Sequence, residues 1–216
     1  MATRVRSAAA GGAPVVTYSL IGISVVVYLL NLVTGGLVNN YLVYNTRFTL
    51  VMPWTMLSSV FVHLSIFHIA FNMFSLFIFG RILEQSLGRI RFLALYLIAG
   101  FAGSVAVLVL NLGGAVGGAS GAIFGMMAAL LVIQRGLGGN YTGLLVLIGI
   151  NLVIPFILPS SISWQAHVGG LIGGGLVGLV YMSTRARALK SRQILLTAGV
   201  AALFVVIAIV RIAIAL

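Results

Sequence analysis

The sequence predicts an all-α polytopic membrane protein: a bundle of six transmembrane helices plus one C-terminal helix. Three observations predict it. Seven apolar runs, at roughly 15–33, 57–80, 92–111, 119–134, 142–159, 166–183 and 193–215, can each cross about 30 Å of hydrocarbon at about 1.5 Å per residue. Of 216 residues, 62% are hydrophobic and only 6% are charged, with a mean hydropathy of +1.24; a soluble domain carries about 25% charged residues. The third observation is where the charges sit. Arg4, Arg6, Arg81, Arg89, Arg91, Arg135, Arg185, Arg187, Lys190 and Arg192 fall on one side of the layout, and only Arg47 and Arg211 on the other. The positive-inside rule then places the N-terminus in the cytoplasm and the C-terminus outside.

Residues 1–14 read as a cytoplasmic tail. The run that follows, Val15 to Val33, is longer than a signal-peptide core and reads as a retained first helix. The connection 34–56 is too apolar and too short for a soluble domain, and its Tyr41, Tyr44, Phe48 and Trp54 suit the headgroup layer. The second run places His63 and His68 in its first part, with Asn72 one turn below His68, and Glu84 at its cytoplasmic end. Loop 112–118 leads into the fourth and shortest run. Beginning at Ala119, that short helix can start below the membrane surface, which is allowed only if its loop faces protein or a watery cavity. The fifth run carries Pro155 and is followed by Pro159, Ser160, Ser161 and Ser163; loop punctuation and a weakened, movable helix end are both consistent with these prolines. The sixth opens with Ala166-His167. Together, 15–183 form a six-helix core, 184–192 a basic linker, and 193–216 an added helix whose default role is an anchor.

A net charge of +11 on a soluble chain would point to nucleic acid. Here the cations are topological anchors at helix ends, and nucleic-acid binding is rejected. The absence of cysteine excludes disulfides, thiolate metal sites and a cysteine nucleophile.

Candidate chemistry centres on Gly117-Gly118-Ala119-Ser120-Gly121-Ala122-Ile123-Phe124-Gly125. Glycines around one hydroxyl favour close backbone approach and exposed amides beside a reactive oxygen. The same residues also fit a small-xxx-small packing face, because Gly117, Gly121 and Gly125 are spaced by four. The stretch is not the nucleophile elbow G-x-S-x-G, since Ala122 stands where that motif needs glycine. In the sixth run Gly170, Gly174 and Gly178 are also spaced by four. Two facing glycine stripes would bring Ser120 and His167 together at matching depth. A neutral histidine can accept the serine proton and return it to a leaving amine. No carboxylate is placed to orient His167, so the arrangement is a dyad. His68 and Asn72, at i and i+4, share a helix face and with the Ser120 backbone N–H can stabilise an oxyanion. Phe124 lies one turn below Ser120; it is either a core aromatic or a packing partner of the His167 ring. Helix-bridging hydrogen bonds are the plain alternative for the histidines. A zinc site from His63, His68 and His167 is a chemical rival, weakened by the lack of a carboxylate and by the i, i+5 spacing of the first two. No metal or other cofactor is expected.

The combination Gly118-Ala119-Ser120-Gly121, Ala166-His167-x-x-Gly170-x-x-x-Gly174 and His63-x4-His68-x3-Asn72-Met73 resembles the rhomboid intramembrane serine proteases, in their six-plus-one form. The resemblance covers roughly 15–183. It implies Ser120 as nucleophile, His167 as general base, and His68, Asn72 and the Ser120 amide as oxyanion hole. His63, Gly118, Gly121, Phe124, Gly170 and Gly174 are implied as supporting residues. It further implies single-pass membrane-protein substrates met in the lipid bilayer, a membrane-dipping first loop at 34–56, and a substrate gate at helix five with cap 159–165. The expected setting is a bacterial plasma membrane, with the site opening outward. Two departures stand out: the family's Trp-Arg pair is Trp54-Thr55 here, and the family's usual tyrosine four residues after the serine is Phe124. Inactive relatives usually lack the serine or histidine, and this chain keeps both. The reading from another class is a catalytically silent membrane-protein binder on the same fold.

Overall fold

A computed structural model describes residues 12–111, 113–157 and 163–215. Arg4 and Arg6 of the N-terminal tail, Leu112 of the loop before Ser120, and Pro159, Ser160 and Ser161 of the cap lie outside the described residues. The described residues are all-α apart from one two-stranded pairing. Helix α1 (Val15–Val33) leads to a short α2 (Leu37–Leu42), strand β1 (Tyr44–Asn45) and a short α3 (Thr55–Ser58). Then come α4 (Ile66–Leu87), α5 (Arg89–Leu110), strand β2 (Ala115–Val116), α6 (Ser120–Gly136), α7 (Thr142–Ile157), α8 (Trp164–Ser183) and α9 (Lys190–Ala215). Among the described residues α1, α4, α5, α8 and α9 are long and apolar enough to cross a membrane, and α6 and α7 are shorter apolar helices.

One boundary differs substantially from expectation. The second run, expected at 57–80, forms a helix only from Ile66 and continues to Leu87. Its start is set by Ser65, an extended residue whose hydroxyl accepts from His68 N–H at 3.2 Å. Gly88, at φ +84°, ends it. The apolar Val60-Phe61-Val62 imitates helix sequence but belongs to a tight turn and its extended exit. His63 therefore stands in the loop ahead of α4, while His68 and Asn72 are on it.

The packing centre is the α6–α8 crossing, flanked by α5. A Cβ on Gly170 would collide with the Gly121 carbonyl oxygen, and one on Gly174 with the Gly125 carbonyl. Reciprocally, a Cβ on Gly125 would come within 2.7 Å of the Gly170 carbonyl oxygen, and one on Gly178 within 2.8 Å of Ala129 Cα. The two backbones touch with no side chain between them, which is what the glycine stripes permit. On another side of α8, Gly169 and Gly173 meet Ala102 of α5, and Phe204 of α9 packs over Gly173. Helix α7 is attached loosely: Ile148 is its one buried residue among those described.

Helix α1 is fastened to α4 by the chain's only acidic residue. Glu84 is buried, and its carboxylate accepts from Val16 N–H at 2.9 Å, Thr17 N–H at 2.7 Å and the Thr17 hydroxyl at 2.7 Å. The first-turn amides of a helix lack internal partners and favour negative charge, so this is a capping interaction supplied from another helix. Gly80, one turn away on α4, leaves room for Thr17, whose Cγ2 would lie 2.8 Å from a Cβ there.

Two stability outcomes follow. Gly174→Ala should destabilise by about 1–3 kcal/mol through overpacking against backbone, whereas Gly175→Ala, whose Cβ would meet only Ala128 at an ordinary 3.9 Å, should be close to neutral; thermal denaturation in detergent compares them. Glu84→Ala should cost about 2–3 kcal/mol by stranding buried donors, with Glu84→Gln intermediate. An unchanged midpoint for Glu84→Ala would remove the capping role.

Candidate active site

The loop before α6 is held from two sides. Strand β2 pairs antiparallel with β1, Tyr44 opposite Val116 and Asn45 opposite Ala115. Thr46 extends the clasp, its N–H donating to the Gly114 carbonyl at 3.1 Å and its hydroxyl accepting from Gly113 N–H at 2.7 Å. Nearer the serine, Gly118 N–H donates to the Ser59 carbonyl at 2.9 Å. Thr46 and Ser59 are contributions that sequence reasoning missed. Only the turn chemistry of Asn45-Thr46 could have hinted at the first, and nothing local marks the second.

Gly118 has φ +137°, a region closed to most side chains. Space closes it as well: a Cβ there would lie 2.7 Å from His68 Nε2 and 3.8 Å from Ser120 Oγ. His68 and the Ser120 hydroxyl therefore flank one glycine. Ser120 is the first residue of α6, where the backbone N–H has no intrahelical acceptor and is free to donate.

His63 supports the turn from behind. Its Nδ1 lies 3.2 Å from the Phe61 carbonyl and its Nε2 3.5 Å from the Ala119 backbone nitrogen. A neutral ring protonated on Nδ1 satisfies both contacts, donating to Phe61 and accepting from Ala119. Its ring meets His68 edge-on, centroids 5.1 Å apart; leaving the helix is what lets His63 do so, contrary to the different-faces expectation. Burial first, and the neighbouring His68 second, push the His63 pKa down to about 4, against a raising contribution from the Phe61 carbonyl. Asn72 is buried and donates to the His68 carbonyl at 2.8 Å.

His167 arrives from α8. Ser163 caps that helix, its hydroxyl accepting from Ala166 N–H at 3.3 Å. A Cβ on Gly121, the residue after Ser120, would lie 3.1 Å from the carbonyl oxygen of Ala166, the residue before His167. The serine and histidine thus stand at the same level of the seam. The His167 ring stacks on Phe124, centroids 4.1 Å apart and planes inclined by 17°, so Phe124 is a packing partner of that ring as well as a core aromatic. His167 Nδ1 is buried and has no hydrogen-bond partner among the described residues. Glu84, sixteen residues along α4 from His68, is roughly 24 Å away at about 1.5 Å per residue. Among the described residues no group of three His, Cys, Asp or Glu side chains is placed to hold a metal ion.

Thr55, standing where the resemblance has arginine, is buried and donates its hydroxyl to the Met52 carbonyl at 2.6 Å. Trp54 keeps a contact across the first loop, its indole N–H donating to the Tyr41 carbonyl at 3.0 Å.

A family model described as the Rhomboid domain matches residues 51–184, spanning both Ser120 and His167. The chain belongs to the rhomboid family. Rhomboid protease GluP of Bacillus subtilis is 35% identical over 177 residues, 76% of this chain and 34% of that protein. RHOMBOID-like protein 1 of Arabidopsis thaliana is 36% identical over 136 residues, covering 60% of this chain and 34% of that protein. RHOMBOID-like protein 6, mitochondrial, from the same plant is 37% identical over 137 residues, 60% of this chain and 44% of that protein. The chain thus spans about a third of the first two relatives and under half of the third. This rhomboid is an integral membrane protein, as its long apolar helices require.

The His63 environment has a consequence in acid. Its folded pKa lies below the ordinary value near 6.5, so the unfolded chain binds more protons between about pH 6.5 and 4. This contribution to stability is fully present above pH 6.5 and declines as pH falls toward 4. The thermal midpoint of the wild type should drop through that window, and His63→Asn should show a shallower slope. Parallel slopes would mean that His63 does not titrate on unfolding.

Proposed function

We propose that this rhomboid is an intramembrane serine protease that hydrolyses peptide bonds in or near the membrane-spanning segments of single-pass substrates. The observation that carries the proposal is the shared level of Ser120 and His167 on the α6–α8 seam, with His68 flanking the same glycine as the serine hydroxyl. Ser120 Oγ attacks the scissile carbonyl carbon as its proton passes to His167, giving a tetrahedral intermediate with a negative oxygen. Its stabilising donors are the Ser120 backbone N–H, the His68 ring and the Asn72 amide. His167 then protonates the departing amine, and water repeats the sequence to release the acyl group. Asn72 already uses one amide hydrogen on the His68 carbonyl, which orients the second.

The access route is assigned to α7. Its sparse burial, internal Pro155 and, among the described residues, one aromatic contact to α8, Phe156 with Trp164 at 5.7 Å, support a helix that yields to an incoming segment. The basic end of the bundle is assigned to the cytoplasm and the site to the outer half of a bacterial plasma membrane.

Labelling of the detergent-purified protein with a fluorescent fluorophosphonate tests the nucleophile. Wild type should label, and Ser120→Ala and His167→Ala should not, with both variants folded and unable to cleave a membrane substrate. Asn72→Ala should lower turnover about 10²–10³-fold, as for loss of one oxyanion donor. Cleavage at the wild-type rate by Ser120→Ala would overturn the mechanism, and a folded wild type that never labels would favour a silent binder.

A further inference from the structure

Twelve Lys and Arg face a single acidic side chain in this sequence, and that side chain is unavailable. Glu84 is buried, with its carboxylate oxygens occupied by the start of α1. No cation of this chain therefore has a free acidic side chain to pair with. For most of them water suffices, because they stand at helix ends. Arg81 is different.

Arg81 sits six residues inside the end of α4, roughly 9 Å along the axis at about 1.5 Å per residue. It is exposed, and its guanidinium lies 4.8 Å from the ring centroid of Phe77, one turn closer to the middle of the bilayer. The head group is thus laid along an apolar face rather than extended toward the helix end. A cation held there is costly unless something neutralises it. Beside it is a groove of about 270 Å³ lined by Phe77, Ile78, Arg81, Ile82 and Gln85. Tyr18 of α1 stacks on Phe77, centroids 6.4 Å apart. Gln85, one turn nearer the basic end, adds an amide donor. Along α4 the lining runs Phe77, Ile78, Arg81, Ile82 and Gln85, so Gln85 stands nearest the basic end and Phe77 deepest.

We propose that this groove binds one anionic phospholipid, of the phosphatidylglycerol class, from the leaflet at the basic end of the bundle. The phosphate lies between the Arg81 guanidinium, whose fork suits a phosphate's paired oxygens, and the Gln85 amide. An acyl chain runs over Ile82, Ile78 and Phe77. The lipid supplies the counter-ion that the sequence lacks. By lying on Phe77, whose ring stacks on Tyr18, it also supports the contact between α4 and α1.

Native mass spectrometry of the full-length protein, equilibrated in mild detergent with equimolar phosphatidylglycerol and phosphatidylcholine of matched chains, tests the site. Wild type should retain one phosphatidylglycerol in preference to phosphatidylcholine. Arg81→Gln should reduce that retention about five-fold, the effect of one basic residue near an anionic headgroup. Ile82→Trp, which fills the groove and keeps the charge, should reduce it similarly and decides the matter if Arg81→Gln fails to fold. Arg185→Gln, on the same end but away from the groove, should leave it unchanged. Equal retention of the two lipids by wild type, or equal losses in Arg185→Gln and Arg81→Gln, would overturn the site in favour of diffuse attraction. Displacement by millimolar inorganic phosphate would reassign it to the free ion.

Discussion

The contact on which the rest of this structure depends is one that no side chain makes. Helices α6 and α8 meet backbone to backbone, carbonyl oxygens of Gly121 and Gly125 lying where Cβ atoms of Gly170 and Gly174 would be. In hydrocarbon there is little hydrophobic gain from pressing helices together, so close packing and dipolar contact must hold them. The proposed chemistry depends on the same approach. Ser120 and His167 project from residues adjoining the closest contact, and short side chains can cooperate only because their helix axes are so near. On the proposed mechanism, a substitution that separates the seam would move the nucleophile and the base apart.

A second constraint comes from the irregular backbone ahead of α6. Peptide groups that leave a helix within a membrane need partners, because no water is there to supply them. Here the first loop supplies them: β1 pairs with β2, Thr46 engages Gly113 and Gly114, and Ser59 takes the Gly118 amide. His63 completes the set by accepting from Ala119. The segment between α1 and α4 is therefore more than a surface anchor, since it provides hydrogen bonds to the irregular backbone that leads into α6.

How much of this was legible in the sequence depends on the range of the interaction concerned. The seam and the groups on it were readable, because glycine at a spacing of four and a polar residue in an apolar run are both local patterns. Residues 15–33 matched a helix to the residue for the same reason. The start of α4 was not readable. Val60-Phe61-Val62 continues the apolar pattern, and the decisive signal, the Ser65 cap, is one hydroxyl among several in that region. Thr46 and Ser59 were invisible because their partners lie tens of residues away, and loop pairing has no periodicity. Glu84 was noticed only as the sole acid at a helix end; its three donors on α1 needed the fold.

The position of that acid bears on how His167 is held. In a Ser-His-Asp arrangement the carboxylate fixes the imidazole's orientation and favours one tautomer. This sequence has one acidic side chain, and it is engaged at the far end of α4. Orientation must come from packing instead, and the near-parallel Phe124 ring is the feature that restricts rotation of the imidazole plane. A stack fixes the plane without choosing which nitrogen carries the proton. Nδ1, buried and without a partner among the described residues, leaves that choice to whatever meets Nε2, so on the proposed mechanism the serine hydroxyl itself selects the competent tautomer by donating to Nε2. Phe124 stands where the family resemblance has tyrosine, and its ring keeps the stack while the phenolic hydroxyl is lost.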